Sequence, residues 1–121
     1  MFYRRKFYLV KNDFVEPFNK LFTEINLPNQ LKHGARLTGR WMLPHDGTTT
    51  EIFAIWEYDS YEDYIEIENH VRCDQEHLQR IKNWYEENGG KDFVQKQYFL
   101  EARNEKLLST VSINKKTSSH S

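Results

Sequence analysis

A carboxylate and a guanidinium stand out because each lies in an otherwise apolar or aromatic segment. Glu57 is the charged residue of the run IFAIWEY, residues 52–58, and Arg5 lies in the aromatic-rich segment FYRRKFYLV, residues 2–10. In an aromatic cavity such a charged pair anchors the polar group of a ligand. A buried carboxylate with a raised pKa can also act as a general base. A purely structural ion pair across a sheet is the simpler alternative, and the sequence leaves both open.

Aromatic residues accompany the two charged positions. Phe, Tyr and Trp make up 15% of the chain, and most of them are expected to pack in the core. The alternation within residues 2–10 mixes residue types on both sides, so the sequence does not assign a face to the cavity. The candidate pocket for a small hydrophobic or amphipathic ligand contains Tyr3, Arg5, Phe7, Trp41, Trp56, Glu57 and Tyr58.

A row of metal-ligand residue types follows later in the chain. Glu66, His70, Cys73 and His77 are spaced four, three and four residues apart, and all are types that bind zinc. The row lies about 100° from the apolar stripe of its helix, and a break at Asp74 would splay its two ends. We therefore predict a solvated flank, and expect neither a metal nor a cofactor.

Composition narrows the class of protein further. The 121 residues are enough for one domain, and 17 basic against 18 acidic residues lack the basic excess of a nucleic-acid binder. The single cysteine, Cys73, excludes an intramolecular disulfide framework. We find no nucleophile elbow and no glycine-rich phosphate loop after a strand. With no signal peptide or membrane span recognisable, we expect a cytoplasmic protein.

Periodicity predicts the elements that position these residues. An apolar stripe predicts a first helix that begins near a capping-box pattern at Asp13 and Glu16, is interrupted near Asn26–Pro28 and ends at Gly34. Two further helices are predicted over 60–73 and 75–88, with Ser60 and Asp74 as their N-caps. The predicted strands are 2–10, 35–43, 48–58 and 93–103. In the second strand we expect a dry face and a wet face. The dry face has Leu37, Gly39, Trp41 and Leu43; the wet face has Arg36, Thr38, Arg40 and Met42.

The order of elements predicts an α+β fold. Two right-handed βαβ crossovers give the ferredoxin-like βαββαβ arrangement, a four-stranded antiparallel sheet with helices on one face. The other face of the sheet would stay aromatic and uncovered, which favours a two-fold homodimer whose two sheets enclose a shared or paired cavity. We assign residues 1–103 to this domain and 104–121 to a polar C-terminal tail that is disordered at its tip.

Three segments resemble the NIPSNAP family, which belongs to the dimeric α+β barrel group. They are YRRKF at 3–7, HGARLTGRW at 33–41 and IFAIWEYDS at 52–60, and the resemblance spans about residues 1–90. Arg5 matches the family's basic residue in the first strand, and Trp56-Glu57-Tyr58 match its third strand. His33-Gly34 match its helix stop, and Gly39 and Trp41 its second strand. The chain departs from the family pattern at Tyr3, Phe7 and Thr50.

The resemblance implies architecture more than chemistry. Its members are linked to vesicle and mitochondrial interactions in animals, and their molecular activity is poorly defined. We expect a non-enzymatic or weakly enzymatic homodimer that binds a small hydrophobic or amphipathic molecule or a protein partner. The alternative is a cofactor-independent monooxygenase-like or haem-degrading enzyme, which needs a histidine that reaches the cavity.

Overall fold

The computed structural model describes residues 1–111. The strands are β1 Phe2–Lys11, β2 Arg36–Pro44, β3 Thr49–Tyr58 and β4 Phe99–Leu107. The helices are α1 Val15–Leu21, α2 Leu27–Lys32, α3 Tyr61–Cys73, α4 Gln75–Glu87 and α5 Lys91–Gln97. The strand order is β2-β3-β1-β4, and every neighbouring pair is antiparallel. The predicted ferredoxin-like α+β fold, with helices on one face of a four-stranded sheet, is confirmed.

The helical segment between β1 and β2 contains the predicted interruption. A 3-10 turn, Asn12–Phe14, precedes α1, and a π-helical turn, Phe22–Asn26, separates α1 from α2. The capping-box prediction is wrong, because Asp13 lies in the 3-10 turn and no side chain caps α1. Pro28 has no N–H and would clash with the carbonyl of Glu24 in a continuous α-helix, and the π-helical turn relieves this conflict.

The other predicted helix caps, Ser60 and Asp74, and the predicted helix stop at Gly34 are present in the structure. Ser60 Oγ accepts a hydrogen bond from the backbone N–H of Asp63, and Asp74 Oδ1 accepts one from that of His77. Gly34 ends α2 with φ of +104°. There the backbone N–H groups of Gly34 and Ala35 donate to the carbonyls of Leu31 and Gln30. This pair of bonds is a Schellman motif, and it directs the chain into β2.

The last predicted strand, 93–103, is wrong in its bounds. Residues Lys91–Gln97 form helix α5, and β4 begins only at Phe99 and continues to Leu107. Val94 is fully buried in the core, and the backbone N–H groups of Val94 and Tyr98 donate to the carbonyls of Gly90 and Val94, the i→i−4 pattern of a helix. The predicted tail begins at residue 104 inside β4, and its tip at 112–121 lies outside the described residues.

Two apolar clusters fill the space between the sheet and the helices. One gathers Val10, Phe14, Phe18, Leu21, Ile52, Trp84 and Val94. The other gathers Ala35, Ala54, Trp56, Tyr58 and Tyr64. Even-numbered residues of β1 and β3 therefore face the helices, and odd-numbered residues form the opposite surface, which no helix of the described chain covers. We call this surface the open face.

Candidate functional site

Strand alternation divides the predicted pocket residues between the two sides of the sheet. Five of them lie on the open face: Tyr3, Arg5, Phe7, Trp41 and Glu57. Trp56 and Tyr58 lie on the helix-facing side, where both are buried in the second apolar cluster. The structure therefore brings five of the seven residues to one surface and places two on the other.

Arg5 lies at the centre of the open face. Its guanidinium is 4.9 Å from the ring centroid of Phe7 and 4.8 Å from that of Phe53, and its Nη1 donates to Glu105 Oε1 at 2.8 Å. Arg103 covers the other side of Phe7 at 4.2 Å. Phe7 is consequently buried although no helix covers this face, because cationic side chains lie over its ring.

Glu57 occupies a separate row of the open face. In the strand register it lies between Tyr3 of β1 and Arg36 of β2, whereas Arg5 lies opposite Ile55. Tyr3 Oη donates to Glu57 Oε1 at 2.9 Å, and Arg36 Nε donates to Glu57 Oε2 at 3.0 Å. The side chain is only 8% exposed. Both oxygens accept hydrogen bonds, so the carboxylate is held in place by neighbouring strands.

Trp41 provides the exposed apolar part of the open face. It is 47% exposed, and its ring lies over Gly39 so closely that a Cβ at Gly39 would come within 2.4 Å of it. Its ring also contacts that of Phe53, at 5.7 Å between ring centroids. The glycine thus allows the indole to lie flat against the sheet.

A cavity lies between the helix-facing side of the sheet and the helices above it. Its volume is about 180 Å³. Cationic, amide and aromatic residues line it together with one carboxylate, that of Glu68. Its lining consists of Arg4, Lys6, Tyr8, Phe18, Phe22, Asn26, Gln30, Arg40, Ile52, Phe53, Ala54, Trp56 and Glu68. We call it the interlayer pocket.

The floor of the interlayer pocket is a row across three strands. Ala54 of β3 pairs with Lys6 of β1 on one side and with Arg40 of β2 on the other. The methyl group of Ala54 is the smallest side chain of this row, so the two long cationic side chains border a gap. Ala54 belongs to the second apolar cluster and Ile52 to the first, so this row lies where the two clusters meet.

The helical segment above supplies the roof. Phe18, Phe22, Asn26 and Gln30 are spaced four residues apart and all line the pocket. In a regular α-helix, residues four apart drift by about 40° at each step, because a turn takes 3.6 residues. The π-helical turn, which takes more residues per turn, offsets this drift and keeps all four side chains above the pocket.

Arg40 is the chemically unusual member of the lining. Its guanidinium lies 4.3 Å from the ring centroid of Phe22, and Nη1 donates to Asn19 Oδ1 at 2.6 Å. Burial lowers the pKa of Arg40 to about 10. Its Nη2 and the Oε1 of Gln30 are buried and lack a hydrogen-bond partner within the described chain. The pocket thus contains a cation and an amide with unused hydrogen-bonding capacity.

Arg4 offers a contrast on the same side of the sheet. Its Nε donates to Tyr58 Oη at 2.9 Å, and its Nη2 pairs with Glu68 Oε1 at 3.1 Å. The guanidinium also lies 5.2 Å from the ring of Tyr64. Arg4 is therefore neutralised and fixed, with Tyr58 as part of its support.

Three histidines, His33, His70 and His77, lie together away from both surfaces. His33 Nε2 lies 2.8 Å from Asp74 Oδ2, and the rings of His33 and His70 are 6.0 Å apart, where α2 meets α3 and α4. Burial lowers the pKa of His77 in the same region. Among residues 1–111, no group of three or more His, Cys, Asp or Glu side chains is arranged to hold a metal ion. None of the helices described is both long enough and apolar enough to cross a membrane.

Sequence reasoning missed the cationic floor of the interlayer pocket. The prediction that Arg40 lies on a wet face is wrong, because a β-bulge between Leu37 and Gly39 reverses the alternation of β2. Leu37 faces the helices before the bulge, and Arg40 faces them after it. Gly39 was the available signal, because a glycine inside a strand often marks a bulge.

Comparison with known proteins now places the chain. The sequence profile of the NIPSNAP family matches residues 3–98. No curated protein matches the sequence at a significant level.

Solved structures of uncharacterised proteins share the fold at low sequence identity. A NIPSNAP domain protein from Burkholderia xenovorans is 20% identical with a TM-score of 0.66, over 94% of this chain and 99% of that one. A NIPSNAP family protein from Agrobacterium tumefaciens is 18% identical with a TM-score of 0.67, over 90% and 92% of the two chains. A dimeric ferredoxin-like protein from an uncultured marine organism is 15% identical with a TM-score of 0.50, over 93% and 99%. With the profile covering most of the ordered domain, the chain belongs to the NIPSNAP family.

Proposed function

We propose that this NIPSNAP-family chain is a homodimeric protein that binds a small amphipathic molecule in the interlayer pocket. The observation that carries the proposal is the cavity itself, which has aromatic walls and a few convergent polar groups. Ligand sites in proteins combine these same features. At about 180 Å³ the pocket is smaller than the roughly 300 Å³ at which sites for drug-sized ligands begin, so it suits a small molecule.

Support for the dimer comes from the open face. Trp41 and Leu43 are exposed there, beside the charged pair of Arg5 and Glu105. A two-fold axis brings the same patch of two subunits together, so that apolar side chains meet and each cation finds a partner's carboxylate. A similar fold occurs in a protein described as dimeric. In this proposal Tyr3, Arg5, Phe7, Trp41 and Glu57 lie at the subunit interface, and Trp56 lines the ligand pocket.

The monooxygenase-like or haem-degrading alternative gains no support from the placement of histidines. None of the described residues that line the interlayer pocket is a histidine. His33 is engaged with Asp74 at the helix junction, and His120 lies outside the described residues. His45 Nδ1 lies 3.2 Å from Glu51 Oε2 beside the β2–β3 turn, at the end of the sheet. A protein partner on the open face is the other alternative, and the dimer accounts for that face more simply.

Filling the cavity tests the proposal. Ala54→Leu places a larger side chain on the pocket floor, whereas Ala102→Leu makes the same change at an exposed position of β4. Native mass spectrometry of freshly purified protein is expected to show a dimer with retained small molecules, and Ala54→Leu is expected to lose those molecules while Ala102→Leu keeps them.

Added probes provide a second readout. Benzyl alcohol and phenylacetate are expected to shift the indole N–H resonance of Trp56 in the wild-type protein and not in Ala54→Leu. A bare protein by mass spectrometry, together with no shift of Trp56 with either probe, would contradict the ligand-binding proposal. Thermal unfolding of both variants checks that the fold is kept.

A further inference from the structure

Two cations in the interlayer pocket form no ion pair with a carboxylate of the described residues. Within residues 1–111 the ion pairs involve neither Arg40 nor Lys6. Lys6 Nζ lies 5.6 Å from the ring centroid of Tyr8, and Arg40 donates a hydrogen bond to the amide oxygen of Asn19. The third cation of the lining, Arg4, is already paired with Glu68. The charge left over in the pocket is therefore positive.

Strand geometry makes the two cations converge. Lys6 of β1 and Arg40 of β2 flank Ala54 in one row, because Ala54 belongs to β3, the strand between them. Because neighbouring strands lie about 4.8 Å apart, the two Cα atoms are roughly 10 Å apart. Both side chains lie on the helix-facing side, above the short side chain of Ala54. An anion placed over Ala54 is within reach of both.

Keeping two like charges in a partly buried site is unfavourable without an anion. A buried charge is costly unless it is paired and hydrogen-bonded, and Arg40 Nη2 has no hydrogen-bond partner among residues 1–111. The guanidinium is already oriented, since it stacks on Phe22 and its other terminal nitrogen, Nη1, donates a hydrogen bond to Asn19. The remaining N–H groups of Arg40 are thus preorganised to donate into the pocket.

We propose that the interlayer pocket recognises the carboxylate of its ligand, with Arg40 and Lys6 as the anchoring residues. This inference rests on the proposed ligand-binding function and names the chemical class of the ligand. A planar carboxylate matches the fork of N–H donors on a guanidinium. The rings of Phe18, Phe22 and Trp56 then cover the apolar part of the molecule, and the free amide oxygen of Gln30 accepts from a second polar group.

Matched pairs of probes isolate the charge. Acetate, butyrate and phenylacetate are compared with acetamide, butyramide and phenylacetamide, using shifts of the Trp56 indole and Ala54 methyl resonances at pH 7 and low salt. Each carboxylate is expected to bind at least tenfold more tightly than its amide, since hydrogen bonds to charged groups are stronger than neutral ones by about that factor.

Substitutions test whether Arg40 causes the preference for carboxylates over amides. Arg40→Gln is expected to reduce the carboxylate-to-amide ratio to less than threefold, and Arg40→Lys to restore part of it. Arg72→Gln removes the same charge from an exposed position of α3 and is expected to leave the ratio unchanged. Because the ratio compares two ligands of one shape in one protein, a general loosening of the fold does not imitate the effect.

The outcomes separate this inference from the proposed function. Equal binding of carboxylates and amides, or a ratio that survives Arg40→Gln, overturns the carboxylate site and leaves small-molecule binding intact. Tighter binding of inorganic phosphate than of all three carboxylates also overturns it. If none of the six organic probes shifts the two resonances, the carboxylate site is overturned. If mass spectrometry also shows a bare protein and benzyl alcohol causes no shift, the proposed function is wrong as well.

Discussion

Two arginines on the same side of the sheet show how the surroundings of a residue decide its role. Arg4 is fully supplied with partners, Tyr58 and Glu68, and it links the sheet to α3. Arg40 has comparable aromatic contacts, but no carboxylate of residues 1–111 forms an ion pair with it. The first arrangement stabilises the fold by itself, and in our proposal the second gains its electrostatic partner when a ligand binds.

Asp74 gives a prediction at the same scale. Hydrogen bonds from Lys32, then from His33 and from the backbone of His77, lower the pKa of Asp74 far below its ordinary value of about 3.9. A lowered folded-state pKa means that the contribution of Asp74 to stability is complete above about pH 4 and is lost as the pH falls below that.

Asp74→Asn keeps the N-cap and removes the charge. We expect it to lower the thermal midpoint at pH 6, and we expect the difference from wild type to shrink as the pH is reduced from 4 to 2. Thermal unfolding followed by circular dichroism measures this, with Asp59→Asn at a solvent-exposed carboxylate as the control. A difference that does not change with pH would show that the lowered pKa of Asp74 does not contribute to stability.

Residue types alone identified part of the site. Glu57 could be singled out because it interrupts an apolar run, and its buried, hydrogen-bonded state agrees with that singular position. Arg40 could not be singled out, because an arginine in an alternating strand looks like a solvent-facing residue. Its position depends on a bulge that adds one residue to β2, which periodicity does not register.

At the scale of elements, the irregular turns matter as much as the regular ones. The π-helical turn aligns the roof of the interlayer pocket, and the bulge in β2 supplies its floor. The sequence indicated the first through Pro28, which cannot continue an α-helix. It did not indicate α5, because Phe93 and Val94 are also typical of a strand.

The stop of α2 at Gly34 can be tested directly. Gly34 has φ of +104°, a conformation that side chains with a Cβ rarely adopt, so we expect Gly34→Ala to reduce the free energy of unfolding by about 1 kcal/mol. Gly47→Ala is the matched control, since nothing lies within 4 Å of the added Cβ there, and it should change stability by only a few tenths of a kcal/mol. Urea denaturation provides the comparison. Equal effects of the two substitutions would contradict a specific requirement for glycine at the end of α2.

At the scale of the whole molecule, connectivity was the most predictable property. The alternation of strand and helix patterns, with right-handed crossovers, leaves one arrangement of four strands, and the structure has it. The assignment of side chains to faces was less predictable, since β1 carries both aromatic and basic residues on each side. Packing between layers settles that assignment, and packing is not a local property of the sequence.

The proposed homodimer is tested by a charge on the open face. Trp41→Glu places a carboxylate at an exposed position, so the fold should persist while the subunits separate at 10 µM, with affinity reduced roughly tenfold or more. Leu78→Glu introduces the same charge at a position of α4 that is 42% exposed, and it should leave the dimer intact. Sedimentation velocity distinguishes the species. A wild-type monomer at this concentration, or a dimer that tolerates Trp41→Glu, would count against the open face as the interface.

The placement of Trp41 above Gly39 also gives the protein a built-in optical probe. Of its three tryptophans, Trp56 and Trp84 are sealed in the interior, and Trp41 alone meets solvent. Dissolved iodide therefore quenches the emission of this indole selectively. A second subunit seated on the sheet would shield it, so self-association can be followed by fluorescence without attaching a label.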